Sequence, residues 1–276
     1  MTQASEAAAT DTIFTRDGAA WLPTSAAMGP WGDSLHGGAP AALICHAVEE
    51  AAGADLQLAR LTMDLFRPVP AAALEVSVRL LRRGRRLAVH EAVLSSGDKE
   101  LVRATSLHTA ALPVSPDTRA AVCPLPPQAG MEEMSLADVV SAQSGRALPG
   151  RDGLHLRLMV RRDSGLDGGG AGGGWLRLPL DLAPGLPLTP MVHLAALADF
   201  ANGVSQRRLE EPEGRIGFIN ADISLHVLRP PGPGAVGLIS RNQHSPEGRG
   251  VVSAECWQPD GLVARVTQSV LAQPAS

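Results

Sequence analysis

The chain has 276 residues, 45% of them hydrophobic, a formal net charge of -4 and three cysteines. That is apolar material for one large or two smaller cores, and the negative balance supplies no field for gathering phosphates. Aromatic residues make up only 3% and tyrosine is absent, so base-stacking platforms are excluded and nucleic acid is not an expected partner.

Cys45, Cys123 and Cys256 lie far apart in no ligand-like spacing. They read as reduced thiols of a cytoplasmic protein, with no disulfide framework and no zinc site. The first residues, MTQASEAAATD, have neither the basic nor the apolar region of a signal peptide, and residues 1–11 are expected to be disordered. No run of about 18 apolar residues could span a bilayer.

Thr12–Leu22 holds a short strand pair turning at Asp17-Gly18. Gly29–Gly53 follows, in which the turn His36-Gly37-Gly38 feeds a helix beginning near Pro40 and closed by Gly53. Four β-type segments come next, Arg60–Arg67, Leu74–Leu81, Leu87–Leu94 and Leu101–Ala111, broken by Arg-Pro, Arg-Gly-Arg and Gly-Asp turns. Arg82, Arg83, Arg85 and Arg86 form a basic hairpin tip, either a solvated charged turn or a contact for phosphates. Pro113–Gly130 is rich in Pro and Ala and opens a linker taken to span residues 113–150, with a short helix over Met131–Ala142.

Beyond the linker, His155–Arg161 and Trp175–Leu182 read as strands joined by GLDGGGAGGG. That glycine run lacks the placement of a phosphate cradle and reads as a hairpin loop. Then comes Pro187–Gln206, where Thr189 suits an N-cap and Pro190 the first helical position. From Met191 to Val204 this helix is apolar almost all round, so it belongs in a core, and Asp199 within it must be paired or hydrogen-bonded. Ile216–Leu228, Gly234–Asn242, Gly250–Gln258 and Leu262–Ala272 complete the strands.

The two halves match. Arg67-Pro68 recurs at Arg229-Pro230, and GRRLAVHEAVLSSGDKELVRATS parallels GRGVVSAECWQPDGLVARVTQS. With a small gap at the turn, Glu91 aligns with Glu255, Arg103 with Arg265 and Thr105 with Thr267; aligning Pro40 with Pro190 sets Glu49 opposite Asp199. A repeat of roughly 120 residues, each one helix plus about five antiparallel strands, makes a duplicated α+β unit.

GPWGDSLHGGAPAAL, LTMDLFRPVP, HLAALADFANG, FINADISLHVLRPP and GLVARVTQSVL together resemble the double-hotdog acyl-CoA thioesterases of the type II, TesB-like group and their actinobacterial relatives, over roughly Phe14–Ala272. The resemblance implies two tandem hotdogs, residues 12–112 and 151–274, each an antiparallel sheet wrapped around a buried helix. It also implies an acyl-CoA or other acyl thioester as substrate, hydrolysed by an oriented water with no covalent intermediate, cofactor or metal. Carried over by local alignment, the helix Asp of that family is Asp199, its strand Thr falls at Asn220, and its last-strand Gln is Gln268. Monomer, dimer and higher homo-oligomers all remain open.

The residues themselves bear on these assignments. Gln268 shares a pleat face with Leu262, Ala264, Val266 and Val270, so it points toward the buried helix and needs partners there. Strict alternation sets Asn220 on the opposite face from Ile219, Ala221 and Ile223, and only a bulge would turn it inward. The His36-Gly37-Gly38 turn offers N–H groups that could polarise a thioester carbonyl as a substrate-binding element.

Two rival readings stand beside this one. Gly32-Asp33-Ser34-Leu35 spells GDSL, the nucleophile block of a serine hydrolase class. No apolar strand precedes it, and its required D-x-x-H is not found near the C-terminus. Alternatively, the loss of a hydroxyl at Asn220 fits an acyl-thioester-binding protein that kept the fold without the activity.

Overall fold

The computed structural model describes residues 11–30, 32–115, 122–145, 147–148, 150, 152–165, 169–212 and 214–274. The disorder expected for residues 1–11 therefore falls outside the described residues except at Asp11, whose carbonyl accepts the Asp181 N–H at 2.9 Å and ties the chain down. In the first half, β1 (Phe14–Asp17) and β2 (Ala20–Pro23) form the expected hairpin. The helix α1 (Gly38–Ala52) follows the His36 turn and ends at Gly53, where φ of 79° suits only glycine. Then come β3 (Gln57–Leu65), β4 (Glu75–Arg83), β5 (Leu87–Ser96) and β6 (Lys99–Thr109).

The segment read as a linker carries β7 (Met134–Ser135), which pairs into the sheet, and α2 (Leu136–Ser144). Next stand α3 (Leu154–Arg157), β8 (Met159–Ser164), β9 (Ala171–Arg177), β10 (Asp181–Ala183) and β11 (Leu186–Pro187). The central helix of this half is split into α4 (Pro190–Ala198) and α5 (Phe200–Val204). Finally come β12 (Leu209–Glu211), β13 (Gly214–Asn220), β14 (Asp222–Val227), β15 (Val236–His244), β16 (Arg249–Gln258) and β17 (Gly261–Pro274).

One expected strand and one expected loop are corrected. His155 lies in α3 rather than in a strand, because the Asp152 carboxylate takes the Gly153 N–H at 2.9 Å and the Arg157 guanidinium at 2.7 Å, folding one helical turn. Of the glycine run, Gly172, Gly173 and Gly174 are strand rather than loop. Any side chain on Gly172 would strike the Val204 carbonyl, so glycine lets β9 pass against the end of α5.

The double-hotdog expectation holds, with one addition: the two sheets are fused. Thirteen strands form one antiparallel sheet, running β4-β5-β6-β3-β14-β17-β16-β15-β9-β8-β7, with β13 on β17 and β12 on β13. The seam is β3 against β14, where Thr62 faces Ser224 and their hydroxyls approach to 3.4 Å. These two residues are each other's counterparts in the repeat. Around them Asp64 pairs with Asp222 and Arg60 with His226, so a pseudo-twofold axis passes through the seam. The register also corrects the repeat alignment. Thr105 and Thr267 occupy matching places opposite Thr62 and Ser224, but Thr105 faces Glu91 while Thr267 faces Ser253. The positional counterpart of Glu91 is thus Ser253, no gap is needed, and Glu255 matches Val93.

Inside the curled sheet α1 packs against α4. Both are apolar nearly all round: Leu43, Ile44 and Val48 of α1 and Leu194, Leu197 and Ala198 of α4 have no exposed surface. The helices come this close because Gly38 lacks a side chain; a Cβ there would lie 2.7 Å from the Ala196 carbonyl oxygen. Among the described residues no helix is long and apolar enough to cross a membrane, and no group of three or more His, Cys, Asp or Glu side chains could hold a metal ion.

Candidate active site

Thr189 caps α4 as expected, its hydroxyl accepting the Val192 N–H at 3.2 Å, and Pro190 opens the helix. The helix does not run through to Val204. It breaks at Asp199, where side chains from the sheet take the carbonyls that a continuous ladder would use. Gln268 Nε2 donates to the Ala198 carbonyl at 3.0 Å and reaches that of Asp199 at 3.5 Å. Asn220 Nδ2 approaches the Asp199 carbonyl at 3.4 Å. Side chains inserted into the hydrogen-bond ladder are a recognised cause of such a break.

Asn220 reaches this point through a bulge, so the outward face expected from strict alternation is corrected. Asn220 pairs with Val270, but Ser224 pairs with Thr267, leaving one extra residue on the β13–β14 side. At the irregularity Ala221 donates to the Ser269 carbonyl at 2.8 Å and the Asp222 carboxylate takes the Ser269 N–H at 2.5 Å. The first half repeats the device: the register of β3 on β6 shifts between Leu58 and Arg60.

The Asp199 carboxylate is 6% exposed and held from two sides. Asn220 Nδ2 donates to Oδ1 at 2.9 Å, and His36 Nδ1 lies 2.9 Å from Oδ2. Below it, Gly37 is the N-cap of α1, so the negative charge rests over a helix N-terminus, where the peptide dipoles favour it. A Cβ on Gly37 would come 2.5 Å from Oδ1 and 2.8 Å from Cγ. Gly37 is glycine to admit the carboxylate; its own backbone, with φ of -58°, is ordinary.

The His36 ring stacks on Phe200 at 4.3 Å between centroids, and the His155 ring lies nearly parallel to it at 6.2 Å. Its Nδ1 also lies 3.2 Å from the Gly38 N–H. One nitrogen cannot donate to a carboxylate and accept from an amide at once. The shorter contact, to the carboxylate, is the stronger when Nδ1 carries the hydrogen, and the Gly38 N–H meets the lone pair when it does not. The Gly37 N–H makes no backbone hydrogen bond among the described residues.

All six residues singled out from sequence are thus gathered at one place: Asp199, Asn220 and Gln268, with His36, Gly37 and Gly38. Two polar atoms there are unsatisfied. Gln268 Oε1 and Asn220 Oδ1 are buried without a hydrogen-bond partner, because each amide spends its NH2 end on the broken helix. Such orphans cost about 1 to 3 kcal/mol each, so they mark a place where a donor belongs.

Sequence reasoning took only the backbone amides of the His36 turn and missed its imidazole. It also missed Phe200, the stacking partner, although that residue adjoins Asp199 in the same apolar run. Ser34, the GDSL serine, sits instead in a short bridge to Pro70 on the approach to the turn. Two open clefts, of about 480 and 460 Å³, lie away from Asp199, at the N-terminal end of α4.

Solved structures with this architecture include a protein from Novosphingobium aromaticivorans assigned as a thioesterase, 22% identical over 94% of this chain and 98% of its own, with a TM-score of 0.69. A hot-dog-fold protein of unknown function from Alicyclobacillus acidocaldarius is 19% identical, covering 96% and 97%, with a TM-score of 0.72. The acyl-CoA thioesterase II TesB2 of Mycobacterium marinum is 18% identical, covering 87% and 90%, with a TM-score of 0.61. At these identities the likeness concerns the fold. No curated protein sequence matches the chain. The family models decide: residues 24–109 match the acyl-CoA thioesterase N-terminal domain and residues 123–272 the acyl-CoA thioesterase C-terminal domain. With both domains present in order, the chain belongs to the acyl-CoA thioesterase family.

Proposed function

We propose that this protein hydrolyses acyl-CoA-type thioesters at Asp199, by direct attack of a water that Asp199, Asn220 and Gln268 orient. The observation that carries the reading is the pair of buried, unsatisfied amide oxygens beside the paired carboxylate. A water that donates one hydrogen to these amide oxygens and the other to the Asp199 carboxylate relieves their burial cost and turns a lone pair outward. As its oxygen bonds to the thioester carbonyl carbon, Asp199 accepts the proton. The developing oxyanion is met by the Gly37 and Gly38 N–H groups at the start of α1. Collapse of the tetrahedral intermediate breaks the C–S bond, and Asp199 returns the proton to the departing sulfur. The products are a carboxylic acid and a thiol, and no covalent enzyme intermediate forms. His36 holds the carboxylate in register through Nδ1.

The test is thiol release across a panel of short to long acyl-CoAs. Turnover is expected on at least one chain length, falling about 100-fold or more in Asp199→Asn and in Gln268→Ala. Activity surviving both changes would move the chemistry elsewhere. Tight acyl-CoA binding without thiol release, unchanged in Asp199→Ala, would convert the reading to that of a binding protein.

A further inference from the structure

The pseudo-twofold axis at the Thr62–Ser224 seam carries the Asp199 site onto a second place in the molecule. Each component has a counterpart there. The C-terminal end of α4 maps to that of α1, and the start of α1 to the start of α4. Asn220 maps to Leu58, which sits beside the same kind of bulge and faces His108 as Asn220 faces Val270. Gln268 maps to Ser106. Val69, whose carbonyl takes the Leu35 N–H beside His36, maps to Pro231.

That second place is open. A cleft of about 460 Å³ is lined there by Glu49, Leu58, Thr189, Met191, Pro230 and Pro231 among others. Its walls are largely apolar, with the Glu49 and Glu50 carboxylates at one side. Arg83, in the basic hairpin tip, donates to the Ala52 carbonyl at 3.4 Å, next to the lining residues Gly53 and Ala54, and so brings positive charge to the rim.

An independent observation lies in the sheet behind Leu58, just outside the cleft's lining. His90, Ser106 and His108 are 3%, 0% and 0% exposed. His90 Nδ1, Ser106 Oγ and both ring nitrogens of His108 lack hydrogen-bond partners among the described residues. The matching register positions of the first site hold Val252, Gln268 and Val270, one polar group instead of three. His90 and Ser106 are direct cross-strand neighbours, and the two imidazoles meet edge to face at 5.6 Å between centroids. His108 shares its pleat face with Leu58, its register partner and a lining residue of the cleft. A core that merely lost a catalytic group would be expected to fill with apolar side chains, since unsatisfied polar atoms are costly.

We propose that this second cleft binds an acyl thioester without hydrolysing it, the apolar walls taking the acyl chain and the thioester pressing past Leu58 to reach the unsatisfied His90, Ser106 and His108 groups behind it. The ligand class rests on the function proposed above. Hydrolysis is not expected because Leu58 replaces Asn220 and the short Ser106 replaces Gln268, so no water is oriented.

The probe is a non-hydrolysable S-alkyl-CoA thioether, titrated by calorimetry into the full chain, with the histidine ring signals followed by NMR. Two molecules per chain are expected, with the second event moving the His108 signals. Ala54→Trp combined with Gln57→Trp, two exposed cleft-lining positions, should reduce the count to one and leave thiol release from substrate unchanged. A wild-type count of one, or a count of two that survives the double substitution, would overturn the second site. A count of zero would overturn the acyl-thioester reading of the Asp199 site as well, so the two failures are distinguishable.

Discussion

Replacing Gly37 with alanine adds one methyl group and tests whether the placement of Asp199 sets the rate. The backbone at Gly37 has φ of -58° and ψ of -22°, which alanine adopts without strain. The added Cβ would sit 2.5 Å from Asp199 Oδ1, where ordinary contact begins at 3.4 Å. The carboxylate must therefore retreat by about 0.9 Å, and a displacement of that size at a reacting group costs on the order of 100-fold in rate. The 2.9 Å contacts to His36 and Asn220 stretch with it.

Stability should move much less. Overpacking costs about 1 to 3 kcal/mol, and losing a flexible glycine from the unfolded chain returns about 0.4 to 1 kcal/mol. For a chain of this size that is a few degrees in melting temperature at most. The assay pairs kcat/KM on the best acyl-CoA with a thermal melt, in the wild-type and Asp199→Asn backgrounds. Gly37→Ala should lose about 100-fold alone, yet under about 3-fold more when Asp199 is already Asn, because the two changes remove one function. Wild-type kcat/KM in Gly37→Ala would refute the assignment of Asp199.

His36→Phe keeps the stack on Phe200 but deletes the donor to Asp199; thiol release should fall by about 10-fold or more with the melt little changed, since one charge-assisted hydrogen bond is lost. Asn220→Asp sets a second carboxylate where Nδ2 now lies 2.9 Å from Asp199 Oδ1, and like charges so close should abolish turnover at neutral pH and lower the melting temperature. Acid should destabilise the fold through two histidines. Burial, with Arg177 adding to it, pushes His193 down to about 4, and burial, with His90 adding to it, does the same for His108, from 6.5. Unfolded chains bind these protons first, so the stabilisation is whole above pH 6.5 and is lost as pH falls toward 4. Each residue accounts for on the order of 2 to 3 kcal/mol, read as a urea midpoint that drops between pH 7 and 4.5 and drops less in His108→Gln.

The sequence was most legible where one period ran unbroken. The apolar run of Met191–Val204 placed the central helix, and the alternation Leu262 to Val270 aimed Gln268 inward. It misled where a local side chain overrode the period. Asp152 folds its neighbours into a helical turn at His155, and a bulge held by Asp222 reverses the face of Asn220. Neither is written in hydrophobicity. The repeat was visible from Arg67-Pro68 and Arg229-Pro230, but the exchange of the Glu at position 91 for serine at 253 could be seen only from strand register. The role of the His36 ring was out of reach for a plainer reason. Its partner is distant in sequence, and no periodicity links a turn to the end of another helix.

The seam between β3 and β14 has a consequence for how this molecule can change. In an assembly of two identical chains, any substitution appears at both ends, so a residue useful at one end and harmful at the other is lost. Here a single backbone crosses the axis, and each substitution is made once. One end can retain glycine beneath a carboxylate while the other acquires histidines, and the shared sheet holds both to the same frame.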